Sequence, residues 1–149
     1  MDNLMKNSLL SSMILMSNFV MVTAPLAAQK ETIKLDTILQ AIDSMEPTQF
    51  AKLLTDDSKF KFGNFPTATG KEAIAKAQTD FYSSIKGLKH EVVHSWHDKS
   101  GIVAEMNVTY TRHDGSTVTL PVTDVFKIKD NKVAGTYIYM DIAPLYAPK

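Results

Sequence analysis

The stretch Ile102-Val103-Ala104-Glu105-Met106-Asn107-Val108-Thr109-Tyr110, followed by Asp114-Gly115 and then by Val118-Thr119-Leu120-Pro121-Val122-Thr123-Asp124-Val125-Phe126, decides the fold. Two runs rich in β-branched and aromatic residues flank a glycine turn, the pattern of a β-hairpin. Asp98-Lys99-Ser100-Gly101 and Asp130-Asn131 punctuate the chain in the same way, so the region from Leu88 onward reads as four strands of roughly ten residues each. Working outward, the preceding residues have helical spacing. Leu35, Ile38, Leu39 and Ile42 predict an amphipathic helix over 32–44. Pro47 starts a short second helix carrying Phe50, Leu53 and Leu54. Thr55-Asp56-Asp57-Ser58 reads as a break, Lys59-Phe60-Lys61-Phe62 as a short strand and Gly63-Asn64-Phe65-Pro66-Thr67 as a turn. Thr69 and Glu72 have capping-box spacing before a third helix with the stripe Ile74, Ala77, Phe81 and Ile85. Helices first and an antiparallel meander afterwards make an α+β domain.

Composition narrows the function. The chain has 149 residues, with 16 basic and 16 acidic side chains and no cysteine. Zero net charge offers no footprint for nucleic acid, and the missing thiol excludes disulfides, a cysteine nucleophile and cysteine-held metals. The first residues are patterned differently. Lys6 precedes an apolar stretch from Leu9 to Ala28 that ends in small residues and is followed by Gln29-Lys30-Glu31, as in a secretory signal peptide. Residues 1–28 are expected to be that signal and 29–149 the domain, with export to a bacterial periplasm or the medium and no stable membrane anchor after cleavage. Cleavage one residue earlier, a start at Met5 and a retained anchor are the alternatives.

Hairpin turns set which side chains share a face. If Asp114-Gly115 is a two-residue turn, or sits inside a four-residue one, Glu105 faces Asp124 and Asn107 faces Val122. The Asp98–Gly101 turn pairs His94 with Glu105, Trp96 with Val103 and His90 with Thr109. One face then carries His94, Glu105 and Asp124, flanked by Trp96, Asn107 and Phe126. The alternation of Leu120, Val122, Phe126 and Ile128 points this face toward the helices, so Asp124 is expected to be an acid among core residues. Desolvation would raise its pKa toward the value a general base needs near neutral pH. A three-residue turn would flip this register, and a satisfied structural network is the other alternative. The opposite face of the third strand (Ile102, Ala104, Met106, Val108, Tyr110) is apolar as well, so either that face is the core or it is buried in a homodimer, and a homodimer packed through the convex side of a curved sheet is favoured. In the last strand, a plain two-residue turn puts Tyr137 and Tyr139 on the Asp124 face. A three-residue loop with a bulged left-handed Asn131 puts Thr136, Ile138 and Met140 there instead and is slightly favoured. A metal shared by His90 and His94 is not expected, because four strand residues separate them by ~13 Å. No phosphate loop or cofactor motif is found.

The order of elements, together with Phe62-Gly63-Asn64, Thr69-Gly70-Lys71-Glu72-Ala73-Ile74, Pro121-Val122-Thr123-Asp124-Val125-Phe126 and Tyr139-Met140-Asp141-Ile142-Ala143-Pro144-Leu145, resembles a SnoaL-like domain over about residues 32–146. The resemblance implies the nuclear transport factor 2-like fold, a cone of curved antiparallel sheet around N-terminal helices with a pocket at its wide end. Members include ketosteroid isomerases, polyketide cyclases, limonene epoxide hydrolases and non-enzymatic modules. The hydrolase's Arg-x-Asp pattern falls on Glu105-Met106-Asn107 and its second Asp on Ile138, so its triad is missing here. The same alignment implies that positions 105, 107 and 138 line the pocket. The isomerases and cyclases use an aspartate base, a role Asp124 could fill with His94 and Asn107 as hydrogen-bonding partners. The expected protein therefore binds a small, largely apolar molecule between Phe62, Trp96, Glu105, Asn107, Phe126 and Ile138. A non-catalytic binding or dimerisation module is the alternative.

Overall fold

The computed structural model describes residues 32–147; the expected signal peptide, residues 1–28, lies outside them. Helix α1 (Leu35–Asp43) buries the four residues of its apolar stripe. Helix α2 (Pro47–Ala51) starts on its proline and buries Phe50. Strand β1 (Leu54–Phe62) runs through the acidic stretch that reads as a break, with a register irregularity between Leu54 and Lys59. Strand β2 (Ala68–Thr69) pairs with it. Helix α3 (Lys71–Tyr82) follows Gly70, which takes the N-cap position at φ +88° with no side-chain cap. The Thr69–Glu72 capping box is therefore not formed, because Thr69 is drawn into pairing with Lys59.

Strands β3 (Gly87–Asp98), β4 (Gly101–Thr111), β5 (Thr117–Lys129) and β6 (Lys132–Tyr139) make the expected meander. The six-stranded sheet has the order β2-β1-β6-β5-β4-β3. Beyond the antiparallel meander, β1 runs parallel to β6, so the sheet is mixed. It curves without closing, and α1–α3 fill its concave side. The core combines Ile38, Phe50 and Ile74 from the helices with Met106, Val108 and Phe126 from the sheet. Each such fully buried side chain contributes about 1.5–3 kcal/mol relative to exposure. A last short helix, α4 (Ala143–Tyr146), returns over the wide end. Arg112 ties it down through bonds of 2.8 Å to the carbonyls of Pro144 and Leu145. Among the described residues, no helix is long and apolar enough to cross a membrane.

Register differs from the expectation at one place that matters. The β4–β5 loop has three residues, His113-Asp114-Gly115, closed by Arg112 N donating to Ser116 O at 2.8 Å. Gly115 supplies the left-handed conformation, φ +84°, that ends such a loop. Its odd length shifts every pair by one: Asp124 faces Ala104, Val122 faces Met106 and Leu120 faces Val108. Glu105 and Asn107 consequently turn to the convex face. The Asp98–Gly101 turn keeps Trp96 with Val103 and His94 with Glu105, and so carries His94 and Trp96 outward with them. A bulge at Val93 then restores the other parity, pairing His90 with Val108 and turning His90 inward. In β6, Asp130 and Asn131 are both left-handed and make a two-residue turn. An irregularity at Ala134 nevertheless places Thr136 and Ile138 opposite Phe126 and Asp124.

Candidate functional site

The wide end of the cone encloses a cavity of about 430 Å³ between the concave sheet face and helices α1 and α3. The sheet contributes Phe60 and Phe62 from β1, His90 from β3, Tyr110 from β4, Asp124 from β5 and Ile138 from β6. Helix α3 adds Gln78, Phe81 and Tyr82, while Phe65, Ile142 and Tyr146 border the same space from the loops and the C-terminal turn. The aromatic wall is continuous. The rings of Phe62 and Phe81 lie 5.6 Å apart, Phe62 stacks on Phe65 at 5.8 Å, and Phe81 meets Tyr110 edge-on at 6.1 Å. These are favoured aromatic separations.

Asp124 is the polar group set deepest in this wall. It is 1% exposed, and its Oδ1 has no protein hydrogen-bond partner. Strand alternation places it there, since its neighbours Val122 and Phe126 on the same face are core residues. Burial pushes its carboxyl up to about 7, against a smaller opposing pull from His90. Near neutral pH it therefore exists in both charge states, as a group that accepts and returns protons must.

His90 is the second titratable group on the wall. Its Nδ1 is 2.6 Å from Asp43 Oδ1 at the C-terminal end of α1, and its backbone N–H donates to the same oxygen at 3.2 Å. Lys89 donates to Asp43 Oδ2 at 2.7 Å. Burial alone would raise the Asp43 carboxyl, but the hydrogen bonds and charges of His90 and Lys89 outweigh it and hold it below the usual carboxylate value. An ionised Asp43 only accepts, so Nδ1 carries the hydrogen. Nε2 is the nitrogen left for the cavity. On α3, Gln78 Nε2 donates to Tyr82 Oη at 3.2 Å, and Tyr82 donates to Ile42 O at 3.3 Å. Gln78 Oε1 is left buried and unpartnered. Burial raises the phenols of Tyr82 and Tyr110, the latter also through the charge of Asp124, so both remain protonated.

Of the residues expected at the site, Asp124, Phe62 and Ile138 line the cavity. Phe126 shares their face but is packed into the core at 0% exposure. His94, Trp96, Glu105 and Asn107 stand on the other side of the sheet, because the three-residue loop reverses the assumed parity of β4 and the Asp98–Gly101 turn carries His94 and Trp96 with it. There His94 packs edge-on against Trp96 at 4.4 Å. The inner positions beside 105 and 107 are Ala104 and Met106, which carry no titratable group, so the hydrolase triad is missing in this register also. Sequence reasoning overlooked Asp43 and Gln78 and gave His90 no role. The face of Ile102, Ala104, Met106, Val108 and Tyr110, for which a dimer contact was favoured, is instead the core, with Val108 and Tyr110 lining the cavity. Gln78 did leave a signal, as a polar residue four positions after Ile74 on the apolar stripe of α3. Among the described residues, no group of three or more His, Asp or Glu side chains is placed to hold a metal ion.

Residues 35–136 match the SnoaL-like domain family, and the chain belongs to it. No protein of curated function matches the sequence. Many solved structures share the fold. One, from Catenulispora acidiphila, is a hypothetical protein with a ketosteroid isomerase-like fold in complex with trimethylamine. It is similar at TM-score 0.68 and 12% identity, over 75% of this chain and 88% of that one. A candidate polyketide cyclase from Xanthomonas campestris is similar at TM-score 0.67 and 16% identity, over 74% and 89%. An LEH-like epoxide hydrolase from M. tuberculosis is similar at TM-score 0.63 and 16% identity, over 74% and 82%. At these identities the likeness is one of fold, and function must be argued from the site.

Proposed function

We propose that this protein binds a small, largely apolar molecule in the cone pocket and transfers a proton on it, with Asp124 as the base. The observation that carries this reading is a buried carboxyl, 1% exposed and without a partner at Oδ1, on the wall of an aromatic cavity. A carboxylate so desolvated is a stronger base than one in water, and the surrounding rings exclude competing solvent. His90, oriented by Asp43, takes the hydrogen-bonding place that the sequence had suggested for His94. Relatives described as cyclases and hydrolases, and one holding a bound amine, support small-molecule chemistry in this fold. The test is hydrogen–deuterium exchange at the α-carbon of a panel of apolar ketones, followed by NMR. The protein should accelerate exchange, and Asp124→Asn should lower the rate by about 10²–10⁴-fold, the usual contribution of a positioned base. Exchange that survives the substitution would remove Asp124 from this role.

A second reading is a non-catalytic binding and dimerisation module. Val93, Trp96 and Tyr139 are more than half exposed on the convex face, where a second copy could cover them. Light scattering would report the dimer, and Trp96→Glu should dissociate it. Export completes the proposal, and the N-terminal residue of the secreted protein is its check: Gln29 is expected.

A further inference from the structure

The buried side-chain atoms of the cavity that lack a partner are acceptors. Asp124 Oδ1 and Gln78 Oε1 are buried acceptors without partners. His90, whose Nδ1 is committed to Asp43, has only Nε2 left for the cavity. The possible donors are mostly spent. Tyr82 gives its hydrogen to Ile42 O, and the Ser84 and Tyr146 hydroxyls bond each other at 3.0 Å. Tyr110 faces only the weakly accepting sulfur of Met140, at 3.5 Å. No lysine or arginine lines the cavity, while its walls are the faces and edges of aromatic rings. A buried acceptor left without a donor is costly, and aromatic faces attract cations. An anionic occupant would meet the Asp124 carboxylate with no lysine or arginine to offset it.

We propose that the pocket selects a monocationic amine with an apolar body, its ammonium group donating to Asp124 and its body packed against the phenyl rings. This rests on the binding half of the proposed function and adds the chemical class of the occupant. Asp124 supplies the opposite charge, Gln78 a second acceptor and Phe62, Phe81 and Tyr110 the aromatic wall.

Three matched probes test this by isothermal titration calorimetry of the full purified chain at about pH 8, where a free amine remains protonated. They are naphthylethylamine, naphthylethanol and naphthylpropionate. The amine should bind about tenfold or more tightly than the alcohol, as a charge-assisted bond outweighs a neutral one. The carboxylate should not bind. Asp124→Asn should bring the amine and the alcohol to within about twofold of each other. If the alcohol binds as well as the amine, or the carboxylate binds, the amine assignment is overturned while pocket binding stands. If none of the three binds, both fail. Should the Asn variant not fold, Gln78→Met keeps the charge of Asp124 and should preserve the amine preference at reduced affinity. Loss of that preference in the Met variant would shift the selection from Asp124 to Gln78 and overturn the ion pair.

Discussion

Asp124→Asn should change how stability depends on pH, by an amount that follows from the pocket geometry. In the unfolded chain Asp124 ionises near 3.8, whereas in the folded protein burial holds the carboxyl at about 7. Between these values the folded state binds more protons than the unfolded state, so unfolding releases a proton and stability falls as pH rises. Each pH unit in the window costs roughly 1.4 kcal/mol, about 4 kcal/mol in all between about pH 4 and pH 7, after which the term is constant. An asparagine of the same shape carries no such term. Urea denaturation of both proteins across this range isolates it, because the other titrating groups are common to the two and cancel in the difference. Relative to wild type, the variant should gain about 4 kcal/mol from the acid to the neutral end. A difference that stays constant to within about 1 kcal/mol would refute the reasoning and mean that the carboxyl is hydrated or partnered in solution.

Two further substitutions probe the frame around the pocket. Asp43→Asn should cost roughly 1–2 kcal/mol above about pH 5, a modest figure because the Lys89 side of the interaction is solvent-exposed. Since the folded-state carboxyl of Asp43 lies below its ordinary value, its stabilisation is present above that value and lost as pH falls through the folded one. Chemical denaturation in acid should therefore show the variant and wild type converging; a gap that persists would contradict the His90–Asp43 pairing. Gly101→Ala would place a Cβ 2.1 Å from the carbonyl oxygen of Phe126. It should lower stability by roughly 1–3 kcal/mol in a thermal melt, and an unchanged Tm would mean that the two strands lie farther apart than described here.

How much of this was legible in the sequence depends on the range of each interaction. The α1 stripe and the α3 stripe were plain, because helical periodicity is local and Leu35, Ile38, Leu39 and Ile42 spell it in eight residues. The inward direction of Asp124 was equally plain, since its own strand alternates so regularly. What could not be read was parity between strands. It turns on whether a loop has two or three residues and on a bulge at Val93, neither of which leaves a mark in the periodicity. Phasing from the wrong loop length put His94, Glu105 and Asn107 in the pocket and turned Tyr110 away from it, while His90 keeps its inward side because the Val93 bulge cancels the shift. The His90–Asp43 pair spans 47 positions, and only the closed fold brings α1 against β3. The family, by contrast, was carried by the order of elements, which survives a one-residue shift.

The hairpin at Gly115 has a consequence for how such pockets diversify. Deleting one residue from that loop would exchange the two faces of a strand in a single event, retiring Ala104 and Met106 from the interior and presenting Glu105 and Asn107 in their place. A length change in a surface loop, ordinarily the most tolerated of mutations, could thus act here as a simultaneous replacement of every inward side chain of one strand.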